Sequence, residues 1–272
     1  MPELPEITVI SRQMNDELTG KIIEDVESRQ PKNLNIPVED FARIAKGKTV
    51  SEVTSKGKWV IVKLRPEHSM LINLGMYGEL LHYQPESVLP EKRQFRLGFT
   101  DKTGFTIFFS WFGYVHLVDD QGLTNHKMVG PLGISPTEAA FTRQHLEGLV
   151  RKRKTSLKNL ILDQKLVSGI GNVYAQDALF RARFHPLRKT STLSSEEIGK
   201  LYDGIKETLS QSISLGGLAY EKDFYGVRGG YSSDHFLVAY KEGKPCPICG
   251  TTIEKIRTGS TASYICPKCQ HL

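Results

Sequence analysis

The chain has 272 residues, room for two domains or two with a small appendage, and 39% of them are hydrophobic, enough for real cores. No apolar run approaches the ~20 residues of a bilayer span, and the acidic, proline-containing start is not a secretory signal, so a soluble intracellular protein is expected. All four cysteines lie within residues 246–272, which argues against a disulfide framework spread over a secreted fold. The net charge of +6 is unevenly placed: residues 151–189 carry ten Lys/Arg against two Asp/Glu, whereas residues 1–150 carry 17 against 19. Such a basic block fits a polyanion partner, although a charge run is also an ordinary solvated face.

The first six residues read Met-Pro-Glu-Leu-Pro-Glu. Removal of Met1 would make Pro2 a free secondary amine able to attack a carbonyl-type carbon, with the Glu3 and Glu6 carboxylates beside it for proton transfer. The same residues also make an ordinary helix start, since proline pre-sets φ and acids suit the helix N-terminus. Apolar residues at 7, 10, 14 and 18 predict a helix over 4–18 that Gly20 ends. From there to about residue 120, alternating and β-branched runs such as 58–64, 70–74 and 105–109 predict an antiparallel β-sandwich. Gly130 to Pro136 is a connector. Helical spacing follows at roughly 137–149, 155–165, 172–183 and 194–213, the last with a Ser194/Glu197 capping box. The glycine-rich stretch 218–235 reads as a mobile loop.

Two motifs carry chemistry. Cys246-x2-Cys249 and Cys266-x2-Cys269 have the paired spacing of a closed four-thiolate zinc site that organises a β-hairpin; two disulfides are the alternative. The segment Gly169-Ile170-Gly171-Asn172 ends one helix and opens another. Its free N–H groups and the Asn172 side chain could hold a phosphate, or the turn could be a plain helix-packing unit.

Taken in order, the N-terminal Pro-Glu-Leu-Pro-Glu, Lys56-Gly57-Lys58-Trp59, Leu74-Gly75-Met76-x-Gly78, Phe112-Gly113, Gly130-Pro131, Gln164…Gly169-Ile170-Gly171-Asn172, His185-Pro186 and the finger ending in Cys-Pro-x-Cys-Gln270 resemble the formamidopyrimidine-DNA glycosylase and endonuclease VIII family. The resemblance implies an α+β multidomain fold: an N-terminal catalytic β-sandwich over 1–133, a helix-two-turn-helix DNA-binding domain over 134–235 and a zinc finger over 236–272. It implies a monomeric base-excision enzyme of the cytoplasm, on the nucleoid in a bacterium, acting on damaged DNA, duplex and single-stranded, with one structural zinc and no diffusible cofactor. Pro2 would attack C1′ of a flipped-out nucleotide, Glu3 would act on the sugar, Glu6 would support the nucleophile and Lys58 would bind the adjacent phosphate. Base removal would be followed by β,δ-elimination. Met76 and Phe112 would fill the gap in the helix. Lys154, Asn172, Tyr174 and Arg93 would contact DNA, and the 218–231 loop would close over the base.

The chain also departs from the family pattern. Ser110 and Trp111 stand where a basic pair is expected, Thr261 where a finger-tip arginine is expected, and Asn73 where a histidine is usual. Trp111 could stack on a base or belong to the core. An unusual lesion or strand preference follows; the alternative is a catalytically idle protein that binds abasic or distorted sites.

Overall fold

The computed structural model describes all 272 residues. Contacts divide the chain into two units, one of residues 1–131 with 216–230, the other of residues 132–215 with 231–272.

The first unit opens with α1 (Leu4–Leu18), whose Ile7, Ile10, Met14 and Leu18 are buried in one stripe. Pro5 costs this helix nothing, because the first-turn N–H groups have no intrahelical acceptor. Strand β1 (Ile23–Ser28) and helix α2 (Val38–Ala45) follow, then β2 (Thr49–Lys56), β3 (Trp59–Arg65), β4 (His68–Asn73), β5 (Glu79–Tyr83), β6 (Phe95–Phe99), β7 (Gly104–Phe108), β8 (Tyr114–Asp119) and the short α3 (Asp120–Asn125). The strands form two four-stranded antiparallel sheets, ordered β1-β6-β7-β5 and β2-β3-β4-β8, the sandwich expected from the alternating runs. Both sheets share a core with α1 and α2 that includes Phe41, Val60, Val62, Ile72, Phe95 and Phe105.

Phe224 belongs to that same core and is fully buried. The 218–235 stretch, expected from its glycines to be a mobile loop, is thus anchored in the core at Phe224. Its backbone pairs with β5 (His82 N–H to the Phe224 carbonyl, 2.8 Å), and Gln13 of α1 grips Phe224 N–H at 2.9 Å and the Asp223 carboxylate at 2.8 Å. The buried phenylalanine and these hydrogen bonds together offset part of the cost of ordering the stretch.

The second unit contains α4 (Arg143–Arg151), α5 (Leu157–Leu162), α6 (Asn172–Arg181), α7 (Ser195–Ser214) and the hairpin of β9 (Glu254–Thr258) and β10 (Thr261–Ile265). The capping box is present at α7: Ser194 Oγ accepts Glu197 N–H and the Glu197 carboxylate accepts Ser194 N–H. The first helix of the unit starts later than the periodicity predicts, at Arg143, where Thr142 Oγ1 caps it.

Candidate active site

The chemistry expected of the N-terminus depends on how its first residues are held. Pro2 is buried, and Glu3, 4% exposed, is the N-cap of α1. Glu3 and Glu6 form a reciprocal capping box in which Glu6 Oε2 accepts Glu3 N–H at 2.8 Å. The other oxygen of Glu6 accepts Leu218 N–H at 3.0 Å. Glu6 thus joins the helix start to the 216–230 segment. Gly217 makes room for it: φ is +88°, and a Cβ there would stand 3.0 Å from Glu6 Cγ and Oε1. In the same neighbourhood the nitrogen of Met1 lies 3.5 Å from Glu221 Oε1, and Lys222 pairs with Glu79 at 2.8 Å. Burial raises the Glu221 pKa above the ordinary carboxyl value; the Met1 ammonium lowers it, and the charges of Glu3 and Glu79 raise it further.

Lys58 follows the tight turn at Gly57 (φ +58°) between β2 and β3 and makes no ion pair. Asn73, at the end of β4, donates to the Lys58 carbonyl at 3.0 Å and accepts Gly75 N–H at 3.1 Å. Asn73 therefore fixes the Lys58 turn to the loop that carries Met76, a positioning role its position in the sequence did not reveal.

That loop pairs with the one before β8. Met76 and Trp111 exchange both backbone hydrogen bonds, at 2.8 and 3.2 Å. Gly75 permits the approach, since a Cβ there would stand 2.3 Å from the Trp111 carbonyl. The pairing presents Met76, Tyr77, Trp111 and Phe112 together as an apolar tip, Trp111 being 65% and Phe112 66% exposed. Trp111 is thus not a core residue. Its ring meets that of Phe112 edge to face at 5.9 Å, beside a groove of about 520 Å³ lined by Gln30, Lys32, Asn33 and Ser110.

In the second unit, Gln164 holds the Gly-Ile-Gly turn by donating to the carbonyls of Leu162 and Ile170 and accepting Gly169 N–H. This sets the start of α6, where the Asn172 amide oxygen is buried without a donor. Lys154 is exposed on the segment before α5. Two expected DNA contacts find other partners. Tyr174 is fully buried with its hydroxyl 2.6 Å from Ser212 Oγ, so its side chain serves the core. Arg93, in the first unit, donates to the Pro90 carbonyl at 2.9 Å and lies 3.8 Å from Glu27.

Cys246, Cys249, Cys266 and Cys269 bring their four sulfurs within 4.8 Å of one another. The Cys249–Cys266 and Cys246–Cys269 separations are 3.4 and 3.9 Å. A tetrahedral zinc with Zn–S bonds near ~2.3 Å requires sulfurs about 3.8 Å apart, and the all-thiolate donor set leaves no open position. The residues fit one structural Zn²⁺, which would order the hairpin and take no part in chemistry.

Three family models match the chain in order: the formamidopyrimidine-DNA glycosylase N-terminal domain over residues 1–109, the H2TH domain of the same glycosylase over 132–223, and the zinc finger found in FPG and IleRS over 243–272. The formamidopyrimidine-DNA glycosylase of Chloroflexus aurantiacus is 36% identical over 276 residues, covering 99% of this chain and 98% of its own. That of Pelotomaculum thermopropionicum is 35% identical, with 99% of each chain covered. The chain belongs to the formamidopyrimidine-DNA glycosylase family. Its fold is that of Lactococcus lactis Fpg bound to DNA containing an abasic site, with a TM-score of 0.89 at 25% identity over 99% of this chain and 100% of the other. The L. lactis Fpg mutant G226P in complex with Fapy-dG DNA gives a TM-score of 0.90 at 26% identity, each chain fully covered.

Beneath the finger tip lies a residue that sequence reasoning missed. Lys158 is buried on the otherwise apolar face of α5 with Leu157, Leu160 and Ile161. Its ammonium reaches Thr258 Oγ1, Thr261 Oγ1, the Ala262 carbonyl and Ser263 Oγ, all at 2.8–3.0 Å. Burial lowers its pKa to about 8. Thr261, where an arginine was expected, is therefore an acceptor for a lysine beneath the hairpin. The visible signal was a lone Lys at a core-spaced position of α5.

Proposed function

We propose that this member of the family is a bifunctional base-excision enzyme, a DNA glycosylase and abasic-site lyase whose nucleophile is Pro2 after loss of Met1. The observation that carries this reading is the buried, capping-box-held Pro2-Glu3 start of α1, with Glu6 fixed behind it. A secondary amine bonded to C1′ becomes an iminium, which acidifies the C2′ proton and permits β- and then δ-elimination. Glu3 serves the sugar as acid and base. Both oxygens of Glu6 accept backbone N–H groups, so its part is to position the nucleophile. Lys58, free of ion pairs, takes the phosphate beside the lesion, and Lys154 with the α6 N-terminus at Asn172 takes others. Met76, Phe112 and the exposed Trp111 fill the gap left by the extruded nucleotide, each stacked base worth ~1–3 kcal/mol. In this reading 1–133 does the chemistry, 134–235 holds DNA and 236–272 is the zinc finger. The abasic-site and Fapy-dG DNAs bound in the L. lactis complexes support damaged DNA as substrate here.

Borohydride trapping on an abasic-site oligonucleotide tests the reading. A covalent adduct is expected, reduced in Pro2→Gly and lost when an extension blocks the N-terminus. Undiminished trapping with the extension overturns the Pro2 assignment, and binding without any adduct points to the idle binder.

A further inference from the structure

Beside the apolar tip, the first unit opens a groove of about 520 Å³ lined by Gln30, Lys32, Asn33, Phe109, Ser110 and Trp111. That is the size of a small-molecule site. Its walls are held by hydrogen bonds. Asn33, 6% exposed, donates from Nδ2 to the Gly113 carbonyl at 2.7 Å. Gln94 accepts Phe109 N–H at 2.8 Å and donates to the Phe109 carbonyl at 3.3 Å. Between these anchors the backbone is bent out of its ordinary range. Phe112 takes φ +58°, a left-handed value that side chains disfavour. Gly113 follows at +111°, packed so closely that a Cβ would stand 2.1 Å from Phe109 Cδ1. This bend keeps the rings of Trp111 and Phe112 about two-thirds in solvent, against the tendency of aromatic rings to be buried. A backbone conformation of this cost, held in place to expose two rings, marks a binding surface.

The chemistry of the groove selects its occupant. The indole of Trp111 offers an aromatic face, and Ser110 and Lys32 are exposed along the rim. The side chain of Gln30 does not cap the short 3-10 turn that follows it, Pro31–Asn33. An aromatic face, an amide, a hydroxyl and an ammonium together match a nucleotide: a base to stack, an edge to pair and a phosphate to hold. A tip that fills the gap left by an extruded nucleotide leaves the base across from that gap without a partner. Trp111 is at once part of the tip and a wall of the groove, so the orphaned base has an aromatic face and a groove next to it.

We propose that this groove receives the base orphaned opposite the lesion, stacked on the Trp111 indole with its edge toward Gln30 and Ser110 and its phosphate toward Lys32. The proposal rests on the gap-filling role given to the tip above. An amide and a hydroxyl each donate and accept, so they suit the edge of any base. The groove therefore holds the orphaned base without choosing strongly among the four.

The test uses duplexes containing a tetrahydrofuran abasic analogue, which is bound but not cleaved. Opposite it stands an ordinary base, 5-iodouracil or a second tetrahydrofuran. Long-wave irradiation should join the iodouracil to Trp111, as located by peptide mass spectrometry. The unmodified protein should bind the duplex with an opposite base about tenfold more tightly than the duplex with none. Trp111→Leu removes the aromatic face but keeps an apolar wedge, and Gln30→Trp places a bulky ring in the groove. Each should bring that ratio to within about twofold, and Trp111→Tyr should restore part of it. Cross-linking to Met76 or Phe112 alone, with a ratio that Gln30→Trp leaves unchanged, would show the orphaned base still stacked in the helix and overturns the proposal. So does a cross-link to Trp111 from iodouracil placed beside the lesion in its own strand and none from the opposite strand. Equal binding of abasic and intact duplexes by the unmodified protein would instead remove the gap-filling role, and this proposal with it.

Discussion

Both oxygens of Glu6 are committed to backbone donors, Glu3 N–H and Leu218 N–H, and this decides what substitution there will do. An amide has one acceptor oxygen, so in Glu6→Gln one of the two N–H groups faces an NH2 in a buried place. A hydrogen bond to a charged acceptor contributes ~1.5–3 kcal/mol, and an unsatisfied buried donor costs a similar amount. Glu6→Gln is therefore expected to destabilise by about 2 kcal/mol, several degrees of melting temperature. It should also slow borohydride trapping, because the start of α1 and the 216–230 segment are no longer joined. Scanning calorimetry and trapping kinetics check this. Full trapping with reduced stability would mean that the Glu6 bridge holds the fold without placing the amine. The chemistry-bearing types at the N-terminus were legible in the sequence. Glu221 was not, because nothing in the order of residues says that a carboxyl 215 positions after Glu6 folds back beside Met1.

Among the elements, β8 and the end of α3 are tied by two histidines. His126 Nδ1 accepts Val129 N–H at 3.1 Å, so its proton sits on Nε2 and points at His116 Nδ1, 2.8 Å away. The chain of donors works only with both rings neutral. Trp59, next to Lys58, stacks on Tyr114 at 6.2 Å and meets His126 edge on at 5.6 Å. Burial, then the neighbouring His126, lowers the His116 pKa to about 4, and burial lowers that of His126. A depressed histidine pKa means that the unfolded chain takes up protons first. The contribution is thus complete above ~6.5, is lost as pH falls from there toward about 4, and changes no further below. A falling melting temperature across that window is expected in buffered calorimetry, and His116→Phe should flatten the fall. An unchanged slope in that variant would place the acid sensitivity elsewhere. Strands, helices and the four-cysteine knuckles were readable because apolar periodicity and ligand spacing are local signals. The Phe224 anchor and the Lys158 clasp were not, since each joins residues far apart in sequence through a single side chain that no periodicity marks, and the histidine pair was not, since it depends on how the turn after β8 folds back.

For the molecule as a whole, the decisive balance is between a retained chemical end and altered duplex-reading positions. Residues 151–189 carry the basic surplus, while Ser110 in the first unit and Thr261 in the second stand where arginines were expected. Each phosphate contact contributes about 0.9 to the slope of log K against log salt, so duplex binding should be weak and shallow in its salt dependence. An opposite-base contact of the missing kind is worth ~1–3 kcal/mol. Ser110 is too short and uncharged to make it, so discrimination between bases opposite the lesion should shrink to a few-fold. In the apolar tip, Tyr77, Trp111 and Phe112 are exposed and Met76 is half-buried. Stacking tolerates any base and needs no partner strand, so single-stranded or locally opened substrates should lose less rate than duplexes. Restoring Ser110→Arg and Thr261→Arg together should tighten duplex binding, and the phosphate contact regained at 261 should steepen the salt slope by roughly 1. The second change is compatible with folding, because Lys158 keeps Thr258, the Ala262 carbonyl and Ser263 for its three N–H bonds. The measurement is the single-turnover rate on one lesion opposite cytosine, opposite adenine and with no partner strand. Rates within a few-fold of one another are expected. A strong preference for cytosine would mean that a side chain other than residue 110 reads the opposite base, and the groove lined by Gln30, Lys32 and Asn33 beside Trp111 would be the place to look for it.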